Sequence, residues 1–254
     1  MKIKILGCDG GSLPGFSSVS FLINDHLVLD AGSITTKLNM KEQLKIKHVL
    51  ITHSHLDHIK DLCYLADNAF LSGRSSAIEI ISSETILTDI EKHLFNGIIW
   101  PDMSQIPSTK NPTLKFRSIK GEIQLGDLKV KAIPVAHSHA ALGYVLWDKK
   151  SAIIVSGDTG PTTEFWEIAN QTSNLKAIFL EVSFPSSLED IAYKSRHLTP
   201  ATVLKEIQKL HTPHIPIYLY HLKPLYAKKI QSEVQAFKHK QLKFLKASKI
   251  FQFK

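Results

Sequence analysis

A chain of 254 residues, 43% of them hydrophobic, carries enough apolar surface for a substantial core, which excludes a disordered or fibrous protein. Only Cys8 and Cys63 are present, both among apolar neighbours, so a disulfide framework is excluded and any metal site must draw on His, Asp and Glu. The formal charge of +8, with lysines crowded after Ala227, suits phosphate-bearing substrates or nucleic acid, although a solvated lysine-rich face is the commoner cause of such a balance.

The opening "MKIKILGCDGGS" alternates Lys2 and Lys4 with Ile3 and Ile5 before a glycine turn, which predicts a strand over Lys2–Leu6 and contains no apolar signal core. No run approaches the ~18 apolar residues of a membrane span, so the expected compartment is the cytoplasm. No linker, low-complexity tract or repeat interrupts the chain, and one domain over residues 1–254, built of two similar halves packed together, is expected. Strands at Ser18–Asn24 and Leu27–Leu29 follow so closely that they imply hairpins, hence an antiparallel or mixed sheet.

"KHVLITHSHLDH" then reads as a buried strand ending in a cluster of histidines, and Asp57–Leu71 keeps helical apolar spacing after it. The second half repeats this style. "LKVKAIPVAH", "GYVLWD", "SAIIVSGD", "KAIFLEV" and "IPIYLYH" are strand-like, with helices between the later ones. His53, His137, Asp158, Glu181 and His221 each end or closely follow such a run, so a sheet whose strand ends share one edge brings distant positions into one site. The His53–His58 cluster taken alone is open to a structural metal clip, a catalytic metal site, a pH-sensitive patch or chance. His and Asp together suit a borderline metal such as zinc.

"THSHLDH" resembles the His-x-His-x-Asp-His motif of the metallo-β-lactamase superfamily. "PVAHSHAALGY", "VSGDTG" and "LYHLKP" are similar to its third histidine, bridging aspartate and last histidine, in the same order across nearly the whole chain. The resemblance implies an α/β (α+β) protein, an αββα four-layer sandwich of two mixed sheets. It implies two divalent metal ions, zinc foremost with manganese or iron as alternatives. His53, His55 and His137 would hold one, Asp57, His58 and His221 the other, and Asp158 would bridge them. Such a pair activates water and stabilises both oxygens of a displacement at phosphorus. His139 competes with His137 as third ligand; His137 is favoured because it lies at the strand end. Asp30 in "LVLDAG" either orients a ligand histidine or merely forms a turn. His26, His48, His93, His211, His214 and His239 sit in no motif.

Within the superfamily, "HSHLDHIKDL", "HLFNGIIWPD", "FLEVSFP" and "SRHLTP" together resemble the class II cyclic nucleotide phosphodiesterases. Lys60-Asp61 departs from that pattern, in which a small residue or glycine is common. The resemblance implies hydrolysis of 3′,5′-cyclic nucleotides to nucleoside 5′-monophosphates, with a small-molecule cyclic nucleotide as partner, no membrane, and a homodimer. Glu181, His197 and Asp57 would be its catalytic residues. His197 is the expected proton donor to the leaving oxygen, oriented by Glu181. Next to Thr199 and Pro200 it also reads as a neighbour of a helix start. Phe95, Trp100 and Phe184 are candidates for stacking on the base or for ordinary core positions.

Two alternatives stand beside this reading. A tRNA 3′-end processing endonuclease shares the ligand set and a similar Glu plus His pair, but its tRNA-gripping arm lies between the third histidine and the Gly-Asp-Thr turn. Here only about a dozen residues join Tyr144 to Asp158, room for one hairpin. A metal-free domain using its basic tail to hold nucleic acid would leave the full set of ligand-type residues without a purpose.

Overall fold

The computed structural model describes residues 1–254, and the chain lays down its two sheets in turn. The first receives β1 (Lys2–Gly7), β2 (Ser20–Ile23), β3 (Leu27–Leu29), β4 (His48–Leu50), β5 (Ile78–Ser82) and β6 (Leu114–Ser118). The second receives β7 (Glu122–Leu125), β8 (Leu128–Pro134), β9 (Leu142–Trp147), β10 (Ala152–Val155), β11 (Leu175–Glu181), β12 (Ile217–Tyr220) and β13 (Leu242–Phe244). The last strand, β14 (Ile250–Gln252), returns to pair antiparallel with β1 at the edge of the first sheet. Both sheets are mixed. β1 to β3 form antiparallel hairpins, and Asn24 and Asp25 make the tight turn between β2 and β3 with φ of 46° and 61°.

The sheets face each other across rings of both halves. Phe21 of β2 lies 5.5 Å from Phe179 of β11 and 5.5 Å from Tyr220 of β12, all three fully or almost fully buried. Each such ring contributes about 1.5–3 kcal/mol by burial, so this central layer is the main reason the halves stay together. Helices α1 (Met40–Gln43), α2 (Leu56–Ile59), α3 (Asp61–Leu71) and α4 (Glu84–His93) belong to the first half. Helices α5 (Glu164–Gln171), α6 (Glu189–Lys194), α7 (Pro200–Ile207) and α8 (Ala227–Ala236) belong to the second, where Phe165, Trp166, Val203 and Ile230 pack against the outer face of its sheet. This is the αββα sandwich of two mixed sheets, and no helix is long and apolar enough to cross a membrane. Both thiols are buried and free; burial pushes Cys8 up to about 12 and Cys63 to about 11, which leaves them protonated and inert.

One expectation is corrected. The helix predicted over Asp57–Leu71 starts at Leu56 and is interrupted at Lys60, because the Asp61 N–H donates to Ala31 O instead of to the preceding turn. Ala31 N–H reciprocates by donating to His58 O, and the Asp61 carboxylate accepts from the N–H and hydroxyl of Thr35. Asp61 therefore ties the cluster-bearing loop to the loop after β3.

Strand direction decides where side chains meet. β9 runs antiparallel to both β8 and β10, so β8 is parallel to β10, and β10, β11 and β12 are parallel to one another. Their C-terminal ends share one edge of the second sheet. The end of β4 in the first sheet is brought against that edge by the Leu142 N–H, which donates to Thr52 O. Gly157 makes this approach workable: its φ is +64°, and a Cβ there would stand 2.5 Å from Leu142 O.

Candidate metal centre

His53, His55, Asp57 and His58 follow β4, His137 follows β8, Asp158 follows β10, Glu181 ends β11 and His221 follows β12. The shared edge brings these together. Asp158 is the point of convergence: its Oδ2 stands 3.1 Å from His221 Nε2, 3.5 Å from His58 Nε2, 3.8 Å from His53 Nε2 and 4.0 Å from His137 Nε2. Asp57 Oδ2 lies 3.5 Å from His221 Nε2 and 3.9 Å from His58 Nε2. His55 Nδ1 lies 3.3 Å from His137 Nε2.

The far side of each ring shows which nitrogen is available. Thr52 Oγ1 donates to Asp30 Oδ2 at 2.9 Å and so accepts from His53 Nδ1–H at 3.0 Å. His58 Nδ1–H donates to Asp30 Oδ2 at 2.7 Å, and His137 Nδ1–H to Arg196 O at 3.0 Å. Ser183 Oγ donates to Glu181 Oε2 at 2.9 Å and accepts from His221 Nδ1–H at 2.9 Å. Four rings therefore spend their N–H outward and turn a lone pair inward at Nε2, the arrangement a metal-binding imidazole requires.

The inward atoms fit a cation. Two donors each ~2.1 Å from one tetrahedral ion stand about 3.4 Å apart. His58 Nε2 and His221 Nε2 are separated by 3.3 Å, as are His55 Nδ1 and His137 Nε2, the spacing two ligands of one cation would have. His53 Nε2 and Asp158 Oδ1 are buried without any hydrogen-bond partner, a costly state for polar atoms unless something else binds there. His53, His55 and His137 form one compact group, Asp57, His58 and His221 another, and Asp158 joins His53 and His58.

The charges agree. Burial, then the charge of His58, holds His53 well below the usual imidazole range, and burial lowers His55 and His137 too. Burial alone would raise Asp158, but His221 and His58 outweigh it and hold the carboxylate well below its ordinary range; His221 does the same for Asp57. His58 is the exception. Burial works against its charged form, yet Asp158 and Asp30 overcome that and raise it well above the usual value, so the carboxylates that favour a cation here also favour a proton.

His197 stands at the rim of this group, its ligand atom within 4.8 Å of those of His137 and Asp158. Its Nδ1 donates to Glu181 Oε1 at 2.8 Å. Burial lowers its pKa, but the charge and hydrogen bond of Glu181, with Asp158, carry it above the ordinary value. Thr199 caps α7 just beyond, accepting from Thr202 N–H, so both readings of this segment hold at once. Both readings of Asp30 hold as well: it adopts a left-handed turn conformation, φ 58°, and its carboxylate anchors His58.

His139, the competitor of His137, is 60% exposed and points away, 3.0 Å from Asp89. Phe95 is buried in the core beside Phe116, Trp100 packs edge-on against Tyr64, and Phe184 lies between His197 and Tyr226. Sequence reading missed Thr52, Ser183 and Arg196, which orient three of the rings. Their only signal is adjacency: Thr52 precedes His53, Ser183 lies two residues past Glu181, and Arg196 precedes His197. Gly10 is a further requirement, since a Cβ there would stand 2.4 Å from His221 O and 2.9 Å from its Nδ1.

A family model described as "Beta-lactamase superfamily domain" matches residues 28–221, which contain every residue of the cluster. Among curated relatives, the chain is 29% identical over 189 residues to 3′,5′-cyclic-nucleotide phosphodiesterase 1 of Saccharomyces cerevisiae, covering 64% of this chain and 50% of that protein. It is 30% identical over 157 residues to Ribonuclease Z of Clostridium beijerinckii, covering 59% and 50%. The chain thus spans about half the length of these two relatives. The crystal structure of unliganded yeast PDE1 superposes with a TM-score of 0.81 over 98% of each chain at 19% identity, a likeness of fold.

Proposed function

The chain belongs to the metallo-β-lactamase superfamily, and on that premise we propose that it is a metal-dependent phosphodiesterase that hydrolyses 3′,5′-cyclic nucleotides to nucleoside 5′-monophosphates. The observation that carries the reading is His197, held by Glu181 at 2.8 Å and set beside the converging Asp158 cluster. The yeast relative's name directs it to cyclic nucleotides.

Two divalent cations, of zinc, manganese or iron type, would be held by His53, His55 and His137 on one side and Asp57, His58 and His221 on the other, with Asp158 between. They would supply activation of water and neutralisation of phosphate charge. The chain's own residues do the rest. Asp30, Thr52, Ser183 and the carbonyl of Arg196 keep the rings aimed inward. Water adds to phosphorus in line as the P–O3′ bond breaks, and the leaving O3′ needs a proton. His197 is suited to give it from Nε2, because Glu181 occupies Nδ1 and favours the imidazolium. After the step the proton from His197 resides on O3′, the attacking water has given up one proton to solvent, and His197 returns to its charged form by taking up an equivalent proton.

The ribonuclease relative offers the second reading. Against it, the β9–β10 connection is a tight turn in which Asp148 Oδ1 accepts from the N–H groups of Lys150 and Ser151, which leaves no arm there to grip tRNA. The test is a product assay on purified protein supplied with divalent metal, using cyclic AMP, cyclic GMP and a precursor tRNA side by side. Nucleoside 5′-monophosphate is the expected product; cleavage of the tRNA alone would overturn the reading in favour of the nuclease.

A further inference from the structure

We propose that the cavity between the histidine loop and α4 seats the purine base of the substrate and that Asp89 reads the base's N–H donors, an inference that rests on the cyclic-nucleotide reading. The cavity has a volume of about 570 Å³, within the usual span for a small-molecule site. It adjoins the centre directly: Ser54 and Leu56 alternate with His53, His55 and Asp57, and His139 lies two residues past His137.

Its walls are Leu56, Ile59, Leu94 and Ile99. Leu56 is 66% exposed and Ile99 62%, so large apolar side chains stand in water around a concavity, where the flat face of a base would cover them. None of Phe95, Trp100 and Phe184 lines it.

Asp89 is the only carboxylate on this lining. Its Oδ2 accepts from Ser54 Oγ at 3.1 Å and lies 3.0 Å from His139 Nε2, contacts that hold the group still; no bond in the structure uses Oδ1. An ionised carboxylate only accepts. Guanine presents two neighbouring donors, N1–H and N2–H, which the two lone pairs of the unused Oδ1 can accept. Adenine presents a donor beside an acceptor, which matches a carboxamide better. In Asp89→Asn the amide oxygen can keep the Ser54 and His139 contacts, which puts an NH2 donor where the accepting Oδ1 stood with hardly any change of shape.

The experiment compares wild type with Asp89→Asn, both loaded with divalent metal. It measures kcat/KM on cyclic AMP and cyclic GMP, and by calorimetry the Kd of adenosine and guanosine 5′-monophosphate. The adenine-to-guanine preference is expected to rise by about tenfold or more, the worth of one mismatched charged hydrogen bond, and to appear in KM more than in kcat. A general disturbance of the loop lowers both substrates alike and leaves the ratio where it was. A change below about threefold in the ratio, in turnover and in binding, overturns the proposal. If wild type turns over neither cyclic nucleotide while the Kd ratio moves as expected, the base site stands and the hydrolytic reading falls. If wild type binds neither monophosphate, the base site falls whatever is hydrolysed. At the exposed wall, Ile99→Ser should weaken both monophosphates by about threefold through lost apolar burial without moving their ratio; unchanged binding of both would place the base elsewhere and overturn the proposal.

Discussion

The cluster around Asp158 and the cavity beside α4 adjoin each other and are built on opposite terms. In the cluster His53, His58 and His221 are fully buried, Asp158 is 2% exposed, and every buried ring has a second partner that fixes its orientation. In the cavity Leu56, Ile99 and His139 stand in water, and Asp89 is restrained by two contacts at its rim. The geometry of the candidate ligands is over-determined by strand ends and buried hydrogen bonds, whereas the outer wall of the cavity, Leu56 and Ile99, is exposed and only Ile59 and Leu94 behind it belong to the core. Chemistry should resist change at the wall and fail at the cluster; recognition should do the reverse.

The largest effect is expected of Asp158→Ala. It removes the atom on which four imidazoles converge, so turnover should drop by more than about 10⁴-fold, over 5 kcal/mol of transition-state stabilisation, with loss of metal by elemental analysis. Activity within about tenfold of wild type would mean that the convergence has no chemical role.

His197→Ala separates the proton donor from the ligands. Turnover on cyclic nucleotide should decrease about 10²–10⁴-fold while metal content stays at the wild-type level. A diester with an acidic nitrophenol leaving group needs little protonation and should suffer much less. Equal losses on both substrates, or loss of metal, would move His197 from the donor to the ligand set.

Ser183→Ala probes the shell behind the rings. The hydroxyl joins His221 to Glu181, so its removal should reduce metal affinity or activity by about 10–100-fold. Titration with a metal-competing chelator reads the affinity independently of turnover, and an unchanged titration with unchanged kcat would show the shell to be dispensable.

The smallest effect is expected at Leu56→Ser. Although Leu56 sits between His55 and Asp57, it is exposed, so unfolding free energy should change by no more than about 0.5 kcal/mol and metal content should not change. A large loss of either would show that the wall and the cluster are one structural unit.

Much of this contrast is legible in the chain. His-x-His-x-Asp-His and the acidic or imidazole ends of later strand runs are local signals, and the Thr199-Pro200 start of α7 is another. The break at Lys60 was not legible, because its cause is a hydrogen bond from Asp61 to Ala31, thirty positions back. That His137 rather than His139 turns inward was legible from its place at a strand end; the partner of His139, Asp89 on α4, was not. Leu56 and Ile99 lie inside the stretches "HSHLDHIKDL" and "HLFNGIIWPD", but nothing in either shows that they line one hollow, since exposed apolar residues are scattered over any surface and become a site only when the fold makes them concave.

Local sequence was enough for the types of candidate ligand, their attachment to strand ends and the likeness to the metallo-β-lactamase superfamily, because alternation of apolar and polar residues and the spacing of donors are properties of neighbouring positions. Which nitrogen of each ring faces inward, that Asp158 is the meeting point, and that Asp89 overlooks an apolar hollow follow only from the three-dimensional arrangement. These depend on parallel strands ending at one sheet edge and on partners such as Asp30, Ser183 and Arg196, whose distance along the chain from the rings they hold is set by topology and not by local pattern.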